Sequence, residues 1–192
     1  MSHITIPLLL WLLSSSVLAQ VQDDVVAKNR LEKAQQYFGD EMLVDQHGQS
    51  YRFFSDLLSR HVVLINVIFT HCQDACPMQT QRLRMVRNQL GDRFGTKFLF
   101  LSLSVDPERD DPQAMKAFAE KQQANVPGWY FLTAEKTVLQ QILNRLGQWT
   151  DDPSNHSTLM IAGNAQNAHW VKLRPDSPPE RIVADLLRLA EH

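Results

Sequence analysis

Two stretches of this chain are apolar almost from end to end. His61-Val62-Val63-Leu64-Ile65-Asn66-Val67-Ile68-Phe69 and Lys97-Phe98-Leu99-Phe100-Leu101-Ser102-Leu103-Ser104-Val105 are rich in branched and aromatic side chains, and neither alternates steadily between polar and apolar. A strand with one wet face alternates; runs like these need cover on both faces, as in a parallel sheet packed between helices. The intervening segments supply those helices. Met78 to Leu90 lacks Gly and Pro, carries Leu83, Val86 and Leu90 at helical spacing and ends at Gly91. Met78 and Met85 share that spacing and read as core. Asp111 followed by Pro112 opens a helix to about Gln123, with the aspartate as cap and the proline in the first turn. Thr133 is expected to cap a helix from Ala134 to about Leu146, stopped by Gly147, and Ser177-Pro178-Pro179 precedes a last helix, Glu180 to Leu189.

Shorter strands complete the sheet. Trp129 to Leu132 is one; Ser157 to Ile161 and His169 to Leu173 read as an antiparallel pair joined around Gly163-Asn164. Met42 to Asp45 and Tyr51 to Phe53 flank a turn at Gly48 and predict a β-hairpin at the start of the domain. Strand, Cys-bearing loop, helix, then β-α and a terminal β-β-α is the order of a thioredoxin-like fold: α/β, a mixed central sheet flanked by helices, with an N-terminal hairpin. With 192 residues and no internal linker, one domain is expected over 41–192.

The N-terminus reads as an address. Met1 to Ala19 holds no charged side chain, its apolar centre runs from Ile4 to Leu13, and Val17-Leu18-Ala19 offers a peptidase site. The apolar run is too short for a bilayer core of about 30 Å, so a cleaved secretory signal over 1–19 is favoured over a retained anchor. Residues 20–40 then form a linker or short helix, and the exported chain meets an oxidising, periplasmic compartment with no stable membrane anchor. A net charge of -2 gives no reason to expect nucleic acid as a partner, and two cysteines exclude both a disulfide-dense scaffold and a four-cysteine zinc site.

Those two cysteines carry the chemistry. Phe69-Thr70-His71-Cys72-Gln73-Asp74-Ala75-Cys76-Pro77 lies between the first buried strand and its helix, the sheet edge where α/β proteins gather their sites. Helix-terminal amides there are expected to lower thiol pKa values. A spacing of four puts both sulfurs on one side of a helical turn, near enough for a disulfide or for a shared soft metal ion such as Cu(I) or zinc. A purely structural bridge is disfavoured, because so short a loop gains little from closure. Two thiolates leave a metal under-coordinated. Of the histidines, His47 and His61 read as solvated, and His71 is expected to point away from Cys72. His156 sits in a loop entering a strand, a place compatible with a ligand without establishing one.

Three motifs in order, Phe69 to Pro77, Ser104-Val105-Asp106-Pro107-Glu108-Arg109-Asp110, and Asn155-His156-Ser157, resemble the Sco/SenC family of copper-handling thioredoxin-like proteins. The similarity runs from about Leu43 to Leu189. It implies one copper ion, as Cu(I) or Cu(II), held by Cys72, Cys76 and His156. It also implies a role in building the copper A centre of cytochrome c oxidase subunit II or of another copper-receiving protein. Members either deliver copper or reduce the target cysteines. Asn155 stands where the family often has Asp, which bears on the orientation of the imidazole. Many members carry a transmembrane anchor that this chain is not expected to keep. The Asp106–Asp110 segment reads as a turn with surface ion pairs, and Trp129 and Trp149 as core or rim packing.

A periplasmic copper metallochaperone is therefore the favoured function. The alternative is a thiol-disulfide oxidoreductase with Cys72 and Cys76 as the catalytic redox pair, although its usual Cys-x-x-Cys spacing is absent. A peroxidase would need Thr three residues before its reactive cysteine, and position 69 is Phe. A binding module without chemistry would leave the cysteine pair without a role.

Overall fold

The computed structural model of the protein describes residues 10–191, so the first nine residues of the expected signal segment lie outside the described residues. Helix α1, Leu10–Phe38, runs as one helix through the rest of that segment and through most of the expected linker. Among the described residues, no helix is long and apolar enough to cross a membrane. Strands β1 (Met42–Val44) and β2 (Ser50–Arg52) form the expected hairpin, with Gly48 at a left-handed φ of 78° in its turn. A π-helical turn, Phe53–Leu58, leads into the sheet.

The sheet consists of β3 (Val62–Ile68), β4 (Phe98–Ser104), β5 (Trp129–Leu132), β6 (Met160–Asn164) and β7 (His169–Leu173), in the order β5-β4-β3-β6-β7. Pairings β3–β4 and β4–β5 are parallel, while β3–β6 and β6–β7 are antiparallel, so the sheet is mixed as the order of segments predicted. Every residue of β3 and β4 is buried. Val62, Leu64 and Ile68 face one core with helices α2 (Ala75–Leu90), α3 (Pro112–Lys121) and α5 (Pro179–Leu189). Val63, Ile65 and Val67 face the other, with α1, the π-helical turn and α4 (Lys136–Arg145). The period of two in a strand divides each apolar run between two cores, which is why neither run alternates with polar residues.

Local punctuation explains most helix ends. The Asp111 carboxylate accepts the Ala114 amide hydrogen at 2.7 Å, with Pro112 behind it. Gly91 and Gly147, with φ of 57° and 66°, follow α2 and α4. Thr133 does not cap α4: its backbone exchanges two hydrogen bonds with Val44, tying the hairpin to the sheet, and α4 starts later, at Lys136. The β6–β7 turn is also displaced from its expected place. Gly163 and Asn164 are strand residues, the strand starts at Met160 rather than Ser157, and the turn falls at Ala165–Ala168. Gly163 marks a close approach instead, because the Trp170 ring lies where its side chain would be.

Met78 and Met85 are exposed, not core, at 65% and 49% of their surfaces. Helix α2 buries Cys76, Gln79, Thr80, Leu83, Val86 and Leu90. Each methionine directly precedes one of these residues and is turned about 100° away from it around the helix.

Candidate functional site

The carboxyl ends of β3 and β4 turn polar on the face that α2 covers. Asn66 on β3 pairs in register with Ser102 on β4, and Ile68 with Ser104, so the interruptions in the two apolar runs meet. Above them the chain leaves β3, passes through Phe69–Asp74 and enters α2.

Cys72 lies in that loop and Cys76 in the first turn of α2, so the two are not on a single turn of helix as the spacing suggested. They are nevertheless coupled. The Cys76 amide N–H donates to the Cys72 sulfur at 3.3 Å, and the Asp74 side chain leaves the cap position unused. Both thiols are free; Cys72 is half-buried and Cys76 is 1% exposed. The expected lowering of thiol pKa fails at Cys76. Burial pushes its thiol up, the hydrogen bond with Cys72 adds to this, and the Phe69 backbone opposes only in part. Loss of hydration of a thiolate outweighs the helix terminus here.

His156 arrives from 80 residues away, and its Nε2 lies 3.9 Å from the Cys76 sulfur. Its Nδ1 is 2.9 Å from the Pro153 carbonyl oxygen. A carbonyl can only accept, so Nδ1 carries a proton, and in the neutral ring the Nε2 lone pair faces Cys76. The Phe69 ring meets the imidazole edge to face, with centroids 5.5 Å apart. Asn155 makes no hydrogen bond to the ring and bears on it only through the turn. Its amide donates to Asp152, whose carboxylate also accepts the Ser154 amide and hydroxyl hydrogens, folding 152–155 into a 3-10 turn that presents His156.

The donor set suits a soft metal ion. With metal–sulfur and metal–nitrogen bonds of about 2.3 and about 2.0 Å, the two donors of a trigonal ion stand about 3.7 Å apart, close to the observed Cys76–His156 separation of 3.9 Å. Two thiols and an imidazole lone pair select Cu(I) or zinc over hard cations. The three-member group of potential ligands whose donor atoms all lie within 4.8 Å among the described residues is a different one: His71, Asp106 and Asp110. These carboxylates are already engaged. Asp106 pairs with the Arg109 guanidinium, and Asp110 accepts from Thr70 and Ser104.

The Asp106–Asp110 segment is a turn with ion pairs, as expected, Arg109 with Asp106 and Lys136 with Glu108, but the Asp106 and Asp110 carboxylates are buried rather than at the surface. Asp110 holds the backbone and hydroxyl of Thr70, two residues before Cys72, and so fixes the loop that carries the cysteine. Trp129 is core and Trp149 lies at the rim, half-buried. His47 is exposed and His61 bonds to the Leu57 carbonyl, so neither reaches the site. The structure thus sets Cys76 against both Cys72 and His156, although the three donor atoms do not all lie within 4.8 Å of one another, and adds Thr70, Asp110, Asn66 and Gln79 around them. For the last two, the signal was a polar residue inside an apolar run and a polar residue one turn beyond Cys76.

A family model described as SCO1/SenC matches residues 29–191. The SCO2-like protein of Rickettsia conorii is 24% identical over 155 residues, which is 76% of this chain and 73% of that protein. The SCO1 homolog of Bacillus subtilis is 34% identical over 76 residues, 40% of this chain and 39% of that one. Among solved structures, a SCO1/SenC family lipoprotein from Bacillus anthracis superposes with a TM-score of 0.70 at 25% identity, covering 80% of this chain and 95% of that one. Bradyrhizobium japonicum ScoI with copper bound gives 0.66 at 26% identity, covering 79% and 98%.

Proposed function

The chain belongs to the SCO1/SenC family, and from that premise we propose that it is a periplasmic copper metallochaperone whose ligands are Cys72, Cys76 and His156. One observation carries the reading: Nε2 of His156, whose ring is held by the Pro153 carbonyl at Nδ1, faces the Cys76 sulfur at 3.9 Å. A thiol pair working alone has no need of that imidazole. The relative from Bradyrhizobium japonicum, solved with copper bound, supports the choice of metal. Copper is cargo here, so the site must give up its ion by exchange with the thiolates of a receiving protein. The receiver implied by the family is subunit II of cytochrome c oxidase, at its copper A centre. Half-exposed Cys72 is the member of the pair positioned for such exchange.

The same asymmetry favours a second reading, disulfide reduction. Cys72, as thiolate, attacks a partner disulfide and releases one partner thiolate. Cys76 gives up its proton, attacks the Cys72 sulfur and releases the second, so two electrons pass to the partner and a Cys72–Cys76 disulfide remains. That disulfide removes two copper ligands, so the two activities exclude each other in any one molecule.

Anaerobic Cu(I) titration of the reduced protein, beside His156→Ala and Cys72→Ser, separates the readings. One copper per chain, weakened at least tenfold in both variants, is expected. Binding indifferent to His156, with disulfide-reductase turnover retained in that variant, makes reduction the function.

A further inference from the structure

A chain of buried side chains runs beneath the cysteines with a single polarity. The Trp129 indole N–H donates to the Ser102 hydroxyl oxygen at 3.0 Å, and that hydroxyl donates to Asn66 Oδ1 at 2.8 Å. Asn66 Nδ2 donates to Gln79 Oε1 at 3.0 Å, and Gln79 Nε2 donates to the Thr158 carbonyl at 2.8 Å. An indole can only donate and a carbonyl can only accept, so the two ends fix the direction of every link and the orientation of both amides. Asn66, Ser102 and Trp129 belong to the rigid sheet and Gln79 to α2, while Thr158 lies two residues beyond His156.

The segment bearing His156 has little else to hold it. Thr150, Asp152, Ser154, Asn155 and the His156 ring all form hydrogen bonds to partners within that segment. Apart from bonds to its immediate neighbours, Trp149 to Asp151 and Leu159 to Ser157, and the edge-to-face contact of Phe69 with His156, the hydrogen bonds that fasten 150–158 to the rest of the described residues are the one from Gln79 to Thr158 and the contact of His156 with Cys76. The second of these is the site itself. Gln79 stands on α2 three residues after Cys76, so one side chain links the helix that carries the thiol to the strand entry that carries the imidazole.

We infer that Gln79 is the positioning residue of the site, setting the Cys76–His156 separation by tying the His156 segment to α2 and, through Asn66, to the sheet. As far as it concerns copper, this rests on the ligand set proposed above. Gln79 touches no reacting atom and acts through the place it gives His156.

A double-mutant cycle tests it, with the reduced full chain and a chromogenic Cu(I) competitor as probe. Gln79→Met keeps the side-chain length and removes both hydrogen bonds. Cu(I) affinity is expected to fall about tenfold in Gln79→Met, about what one net hydrogen bond supplies, and to be unchanged when the same substitution is made in His156→Ala. An equal loss in both backgrounds means that Gln79 acts on the helix or the cysteines and overturns the inference. Hydrogen exchange on the metal-free proteins supplies the second readout. The amides of 155–158 should exchange about tenfold faster in Gln79→Met while those of β3 and β4 do not change. Unaltered exchange at 155–158 also overturns it. If His156→Ala binds copper as tightly as the parent, the ligand set is wrong, and the exchange result alone still decides whether Gln79 holds the segment.

Discussion

Thr70 and Asp110, separated by 40 residues, close on each other at the mouth of the sheet: the Asp110 carboxylate accepts the Thr70 amide hydrogen at 3.1 Å and its hydroxyl hydrogen at 2.6 Å. The other carboxylate oxygen accepts from the Ser104 hydroxyl at 2.6 Å. Burial nonetheless pushes the Asp110 carboxyl above its ordinary range, outweighing the three hydrogen bonds that favour the anion. The contact joins the end of β4 to the loop leading to Cys72, so the cysteine loop is held from beneath by the Asp106–Asp110 turn.

Removing that carboxylate should therefore cost more than removing its charge. Asp110→Ala orphans three donors and is expected to lower stability by about 3 kcal/mol. Asp110→Asn keeps an acceptor for Thr70, sheds a charge that burial disfavours, and should cost about 1 kcal/mol or less. Urea unfolding of the two variants at pH 7 checks the ordering. Equal losses would show that the charge, rather than the hydrogen bonds, secures the loop.

The sheet was legible because its signal is collective. Nine consecutive residues from His61 and nine from Lys97 have too few polar side chains to meet water on either face, whatever their neighbours do. The cysteine pair was legible because both cysteines of the chain stand four residues apart at a strand–helix junction. What escaped depends on orientation and on distant partners. Helical spacing groups Met78 with Met85 but does not say which side of α2 meets the sheet; Leu83, Val86 and Leu90 settle that. Thr133 has a capping side chain, yet its backbone is committed to Val44, far away in sequence. Burial, and after it the hydrogen bond with Cys72, raises the Cys76 thiol, and neither follows from its place at a helix terminus. Asn66 and Ser102 were visible as flaws in apolar runs, but their meaning required the register that sets them side by side.

Gly163 makes a sharp test of packing in the antiparallel half of the sheet. The Trp170 ring occupies the space into which any Cβ at position 163 would project, and the ring also packs on Phe38 of α1 at a centroid distance of 4.4 Å. Gly163→Ala must displace a ring held from its other side, at an expected cost of about 2 kcal/mol. Thermal unfolding followed by tryptophan fluorescence reads both the loss and the ring's displacement. A variant as stable as the parent would mean that Trp170 has a second seat.

Asp40 predicts a pH dependence of the opposite kind to Asp110. Burial works to raise its carboxyl, but bonds from the Ser55 hydroxyl and amide, Gln35 and the Phe54 amide outweigh it and hold the carboxyl below the ordinary 3.8. A depressed carboxyl stabilises the fold fully above its unfolded value and loses that contribution as pH falls through the folded one. Asp40→Asn should therefore be about 1 kcal/mol less stable than the parent at pH 7, with the gap closing below pH 3.8. Urea unfolding at pH 7, 5 and 3 follows it. A gap that stays constant across that range would assign the loss to geometry rather than to the charge.

The two thiols should differ in reactivity as they differ in burial. Cys72 is half-buried, whereas Cys76 is enclosed and its thiol is pushed up, first by burial and then by Cys72. Alkylation requires both access and thiolate, and Cys76 is poor in each. Iodoacetamide at pH 8 should label the reduced protein at Cys72 first. The remaining Cys76 in Cys72→Ser should react at least about tenfold more slowly than the remaining Cys72 in Cys76→Ser. Peptide mapping by mass spectrometry gives both rates. Adding one equivalent of Cu(I) tests the ligand set by the same readout: a metal held by both sulfurs protects Cys72 as well as Cys76, whereas continued rapid labelling of Cys72 would leave it outside the site and assign copper to Cys76 and His156 alone.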